Sequence, residues 1–147
     1  MGANVHKTYM PRGKGYRGYI SSRKINNSRI PQHIQNLVVR DYAIKNNLDF
    51  KLSATEFAMP DCFLVLDGTL KTIESLDGII LYSLFMLPKT MAERQKIYDQ
   101  VLRAGAVICA AVEDYKISNE HDVVQVENFF LISSTLESCP QKVLPYG

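Results

Sequence analysis

Two hydrophobic rhythms alternate along this chain. Residues 17–22, Arg17-Gly-Tyr-Ile-Ser-Ser22, read as a short strand. The run Phe50 to Phe57 sets Phe50, Leu52 and Ala54 against Lys51, Ser53 and Thr55, the period of a strand with one covered face. Ile79 to Leu84 stays apolar until Tyr82 and Ser83 interrupt it, which predicts a central strand covered on both faces. Ala106 to Val112 reads as another buried strand. Helical spacing fills the gaps. Ile34, Leu37, Val38 and Tyr42 predict a helix announced by Ser28 and Pro31 and closed by Asn46-Asn47. Pro60 opens a second helix to about Ile73. Thr90-Met-Ala-Glu93 is a capping box, and its helix runs to Arg103 and stops near Gly105. Ser118 caps a last helix carrying Val123, Val126, Phe129 and Phe130.

Four strands alternating with helices predict right-handed crossovers and a three-layer α/β domain with a short, mostly parallel sheet, flavodoxin-like in plan. The domain spans residues 16–136, with a basic arm at 1–15 and a tail at 137–147. In such sheets ligands gather beyond the carboxyl ends of the strands. Those ends are Ser21-Ser22-Arg23, Thr55-Glu56, Tyr82-Ser83 and Glu113-Asp114.

Composition narrows the classes. With 147 residues, 46% hydrophobic and 22% charged, the chain has the profile of one globular domain. Its longest apolar stretch, Gly78 to Pro88, is too short to span a bilayer, and residues 1–15 lack the apolar centre of a signal peptide. His6 stands where a myristoylation signal needs Ser or Thr. Cys62, Cys109 and Cys139 are odd in number and widely spaced, which fits buried thiols in a reducing compartment, so a cytoplasmic location is expected. Lys7, Arg12, Lys14 and Arg17 make the start basic, a solvated arm or a phosphate contact.

The chemistry concentrates at the strand ends. Arg23 and Arg29 have the forks to hold a phosphate or carboxylate, aided by the amides of the following helix start. His33 or Glu56 can move a proton, and Ser21 or Ser22 offers His33 a hydroxyl to act on. Ser21, Asn36, Tyr82 and Ser83 complete a substrate-binding set. The plainer alternatives are a solvated loop, a polar helix start, and hydroxyls bonded inside the protein. No cluster has metal-ligand spacing, and Gly13, Gly15 and Gly18 lie before or within the first strand rather than after it, so neither a metal, a dinucleotide nor any other cofactor is expected.

Two resemblances add to this. The element order over residues 16–115 resembles the catalytic domain of serine recombinases (resolvases and invertases), whose first strand reads Tyr-x-Arg-x-Ser. Here the stretch is Tyr19-Ile-Ser-Ser-Arg23, with arginine and serine exchanged. Phe85 and Met86 stand where that family has an acid and a catalytic arginine, and Lys89 replaces a second arginine. Without those charges DNA strand transfer lacks its transition-state stabilisation, and no basic helix-turn-helix follows, so nucleic acid is not the expected partner. Over residues 16–130 the strings Gly18–Arg23, Arg29–Asn36, Leu52–Glu56, Ala58-Met-Pro60 and Leu81–Pro88 resemble a small bacterial family named for sporadic carbohydrate-biosynthesis clusters. That resemblance implies an enzyme or accessory protein of surface-polysaccharide synthesis. Its partner would be an anionic sugar derivative, either a sugar phosphate or a nucleotide-sugar. A non-catalytic sugar-nucleotide-binding or partner-binding module is the alternative. The apolar run Phe129–Ile132 adds the expectation of a homo-oligomer.

Overall fold

The structure is a computed structural model, and it describes residues 13–138. The basic arm before Gly13, Cys139 and the rest of the tail lie outside the described residues. Among those described, the order is β1 (Tyr16–Ser21), α1 (Gln32–Lys45), β2 (Phe50–Glu56), α2 (Leu64–Lys71), β3 (Gly78–Leu81), α3 (Met91–Arg103), β4 (Val107–Ala110), β5 (Tyr115–Ile117) and α4 (Glu120–Ser138). Short 3-10 turns sit at Ile73–Ser75 and Leu84–Met86. The five-stranded sheet has the order β2-β1-β3-β4-β5. The first four strands are parallel, and β5 is antiparallel to β4.

Alternation along the strands builds three layers. Tyr19, Ile79, Leu81, Ile108 and Ile117 meet α2, α3 and α4 on one face. Ile20, Ile80 and Cys109 meet Val39, Tyr42 and Ala43 of α1 on the other. The three-layer α/β expectation holds, and β3, wholly buried, is its middle strand.

Several details depart from the pattern along the chain. The buried face of α1 is Gln35, Val39, Tyr42 and Ala43, whereas Ile34 and Leu37 are 39% and 60% exposed. The sheet takes one stripe of α1, and a polar Gln35 belongs to it. Leu52 is 80% exposed despite its strand phase. The register between β1 and β2 shifts, Arg17 facing Lys51 and Tyr19 facing Ala54, so Leu52 and Ser53 both oppose Gly18. This is a bulge. Gly18 permits it, since a Cβ there would lie 2.4 Å from Ser53 Oγ and 3.0 Å from Val39.

The second helix starts at Leu64 rather than Pro60, and β3 ends at Leu81 because Ser83 accepts from the Phe85 amide and turns the chain into a 3-10 helix. Asp114, at φ 53, makes the turn into the unexpected β5. The cap of α4 is Asn119, one residue beyond Ser118: its Oδ1 accepts from the Asp122 amide, while Ser118 donates to the Asp122 carboxylate. The Thr90 hydroxyl caps the Glu93 amide as expected, while the Glu93 carboxylate reaches back to that hydroxyl rather than to the Thr90 amide, and Gly105, at φ +76, closes α3.

Candidate functional site

At the end of β1, Gln35 replaces a neighbouring strand. Its Oε1 accepts from the Ser21 amide at 3.0 Å, and its Nε2 donates to the carbonyls of Ser21 and, at 2.8 Å, Ile30. One amide side chain thus satisfies both backbone groups of a residue that is itself fully buried. The Ser21 hydroxyl accepts from the Arg23 amide at 3.1 Å, which turns the chain. The loop beyond is pinned. Asn26 and Asn27, at φ 54 and 67, make a two-residue turn between Ile25 and Ser28, whose backbones exchange bonds of 2.8 and 3.0 Å. Ile25 anchors this knuckle in the larger core.

Arg23 faces inward. Nη1 donates to the Cys62 carbonyl at 2.7 Å and Nη2 to the Met86 carbonyl at 3.1 Å, and the guanidinium lies 4.5 Å from the Phe63 ring centroid. It staples the loops after β2 and β3 to the end of β1.

Glu56 is 2% exposed. Oε1 accepts from the Tyr19 hydroxyl at 2.6 Å and the Leu66 amide at 3.0 Å. Oε2 accepts from the Val65 amide at 3.0 Å, the Phe57 amide at 3.2 Å and the Cys62 thiol at 3.7 Å. The first turn of α2 has no side-chain cap of its own, with Phe63 at that position, so a strand carboxylate caps it instead. Burial pushes the Glu56 carboxyl up, but the Tyr19 hydroxyl and the three amides outweigh it and hold the pKa below the ordinary value. Burial and the bond to Glu56 push the Tyr19 phenol far up.

At the end of β3, Ser83 is buried and donates to Glu113 at 2.7 Å, and the other Glu113 oxygen accepts from the Leu84 amide at 3.0 Å. Tyr82 is half-buried and packs against both cores.

The predicted site therefore divides. Ser21, Arg23, Glu56 and Ser83 bond to groups of the protein itself. Ser22, Arg29 and His33 remain at the surface: Ser22 is half-buried, Arg29 and His33 are exposed, and Arg29 Nη1 donates to the Ser22 carbonyl at 3.3 Å. They flank the start of α1, whose N-cap, Pro31, offers no side-chain bond and whose first turn has no acid. Asn36 lies apart, accepting from Ser53 of β2 at 2.7 Å. Gln35, Tyr19 and Glu113 were legible only in part. The signal for Glu56 as a cap was a helix after a strand-ending acid with no local cap residue. No group of three or more His, Cys, Asp and Glu side chains suited to a metal ion exists among the described residues.

The fold has known counterparts. A resolvase family site-specific recombinase from Streptococcus pneumoniae matches with a TM-score of 0.56 and 13% identity, over 87% of this chain and 98% of that one. The N-terminal catalytic domain of TP901-1 integrase matches with a TM-score of 0.55 and 14% identity, over 82% of this chain and 93% of that one. The likeness is one of fold, and the chain has the α/β architecture of resolvase catalytic domains. No protein-family model and no curated protein matches the sequence. Met86 is 2% exposed, and the ring of Phe85 lies 5.6 and 5.5 Å from those of Phe129 and Phe130. Both positions serve the core.

Proposed function

We propose that the chain is a non-catalytic binding module on a resolvase-like fold. It takes an anionic sugar derivative, a sugar phosphate or nucleotide-sugar, at the start of α1 and serves bacterial surface-carbohydrate synthesis. The observation that carries this reading is the division of the strand-end groups. The carboxylate, serines and arginine that would do chemistry are engaged internally, whereas Arg29, His33 and Ser22 stay accessible beside a helix start with no acid. Arg29 and the helix amides hold the phosphate, and Ser22 and His33 bond sugar hydroxyls. The pathway assignment rests on the sequence strings, and a cytoplasmic location goes with it. No helix among the described residues is long and apolar enough to cross a membrane.

Titration calorimetry with glucose 1-phosphate and UDP-glucose, with product analysis of the same mixtures, tests this. Binding that Arg29→Gln weakens about tenfold, without product, is expected. Product formation would make the protein an enzyme, and equal binding by Arg29→Gln would remove the site. Strand transfer on DNA is the second reading, favoured by the fold alone. It predicts cleavage of supercoiled DNA.

A further inference from the structure

Away from the carboxyl edge, α1 and β2 border an open groove of about 570 Å³, a size usual for small-ligand sites. Arg17, Arg40 and Lys51 line it, and among the described residues none of the three pairs with a carboxylate. Asp49 is the one acid in its lining. The bulge in β2 builds its wall. Phe50 and Ser53, three residues apart, would face opposite sides of a regular strand, yet both lie over Gly18, 3.1 and 2.4 Å from where its Cβ would be. Ser53 donates to Asn36 Oδ1, and the Asn36 amide nitrogen remains a donor beside the groove that Asn36 lines. The Arg40 guanidinium lies 6.0 Å from the Phe50 ring centroid.

We propose that this groove binds a nucleoside diphosphate. Arg40, Arg17 and Lys51 hold the phosphates, the Phe50 ring and the exposed Leu52 give the base an apolar wall, and Asn36 donates to its carbonyl. Three cations against one carboxylate match a polyanion, and the ring and the amide beside them add groups for a base that a bare phosphate would not use. This site is independent of the one at the start of α1.

The test is an amide-resolved NMR titration of the full chain with UDP, inorganic pyrophosphate and uridine separately. UDP and pyrophosphate are expected to shift the amides of Asn36, Arg40 and Phe50 to Ser53, with UDP binding more tightly than either fragment. Replacing Arg40→Gln and Lys51→Gln together should weaken UDP by about tenfold to hundredfold, while Arg29→Gln leaves it unchanged. Arg40 and Lys51 are exposed, so the fold should persist; if the double variant does not fold, the wild-type titration decides. Silence of Phe50 to Ser53 at millimolar UDP, or unchanged affinity in the folded double variant, would overturn the proposal. Shifts confined to residues 22–34 would also overturn it and would support the site at the start of α1 instead.

Discussion

Glu56→Gln separates a cap from a catalyst. The glutamine keeps one acceptor oxygen and puts an NH2 where the other stood. With the nitrogen in the Oε2 place, it confronts the amides of Val65 and Phe57, which can only donate. With the nitrogen in the Oε1 place, it confronts the Leu66 amide, while the Tyr19 hydroxyl can reverse and accept. Either way at least one buried backbone donor at the start of α2 is left unpaired, and the negative charge there is gone. A stranded donor costs about 1–3 kcal/mol and the lost charge about 0.3–1 kcal/mol, so in the orientation that strands only the Leu66 amide the variant should be less stable by about 1–4 kcal/mol. Urea unfolding followed by circular dichroism reads that loss, and hydrogen exchange at Val65 and Leu66 locates it. The pH dependence has a fixed sign. Because the folded-state pKa of Glu56 is depressed, its contribution is complete above the unfolded value, about 4.3, and disappears as pH falls through the folded value. The stability gap between wild type and Glu56→Gln should hold constant near neutrality and close in acid. An unchanged urea midpoint with normal exchange at Val65 and Leu66 would refute the capping argument and return Glu56 to the list of candidate acids and bases.

Arg23→Ala should lower stability by about 1.5–3 kcal/mol and loosen the loops at Cys62 and Met86. Phosphate binding unchanged in that variant would settle its structural role, whereas a binding loss with an unchanged melting temperature would contradict it. Arg94 forms a two-bond pair with Glu127, at 2.8 Å for each bond, and donates to the Pro88 and Lys89 carbonyls. Arg94→Leu leaves Glu127 without its cation and should cost about 3–5 kcal/mol, with α4 exchanging first. A loss below 1 kcal/mol would show that the pair adds little. Light scattering is expected to report a homo-oligomer, since Leu131, Ile132 and Leu136 of α4 are 65%, 58% and 61% exposed. A monomer at micromolar concentration would refute it.

The layers of the fold were legible because burial repeats along the sequence: β3 is apolar throughout, and the Thr90 box and Gly105 close α3 by local chemistry. What escaped was set by contacts between distant residues. Leu52 reads as buried until the bulge opposite Gly18 turns it out. Gln35 reads as a polar helix start until the end of β1 arrives with a backbone amide and carbonyl to satisfy. β5 is three residues long and alternates too briefly to show a period. The candidate site was half legible for the same reason. Fold logic brought Ser21, Arg23, Glu56 and Ser83 to one edge of the sheet, but sequence does not say whether a polar group there faces a ligand or a neighbouring loop.

In this molecule two arginines answer that question. The segment from Tyr82 to Thr90, where the resolvase resemblance calls for charge, is held from both sides: Arg23 donates to the Met86 carbonyl, and Arg94 to those of Pro88 and Lys89. Each guanidinium also stacks on a ring, Arg23 on Phe63 and Arg94 on Phe130 at 4.0 Å. Phe85 closes against Phe129 and Phe130. A segment clamped in this way packs Phe85 and Met86 into the core and satisfies the carbonyls of Met86, Pro88 and Lys89, leaving the exposed Lys89 side chain as its charge. Among the described residues, Arg29 at the start of α1, and Arg40 and Arg17 along its groove with β2, are arginines without a carboxylate partner. His33, Asn36 and Arg40 are spaced to share one flank of that helix. Arg29 and Arg40 thus set part of the accessible charge along α1, away from the sheet-end groups that the protein's own bonds engage.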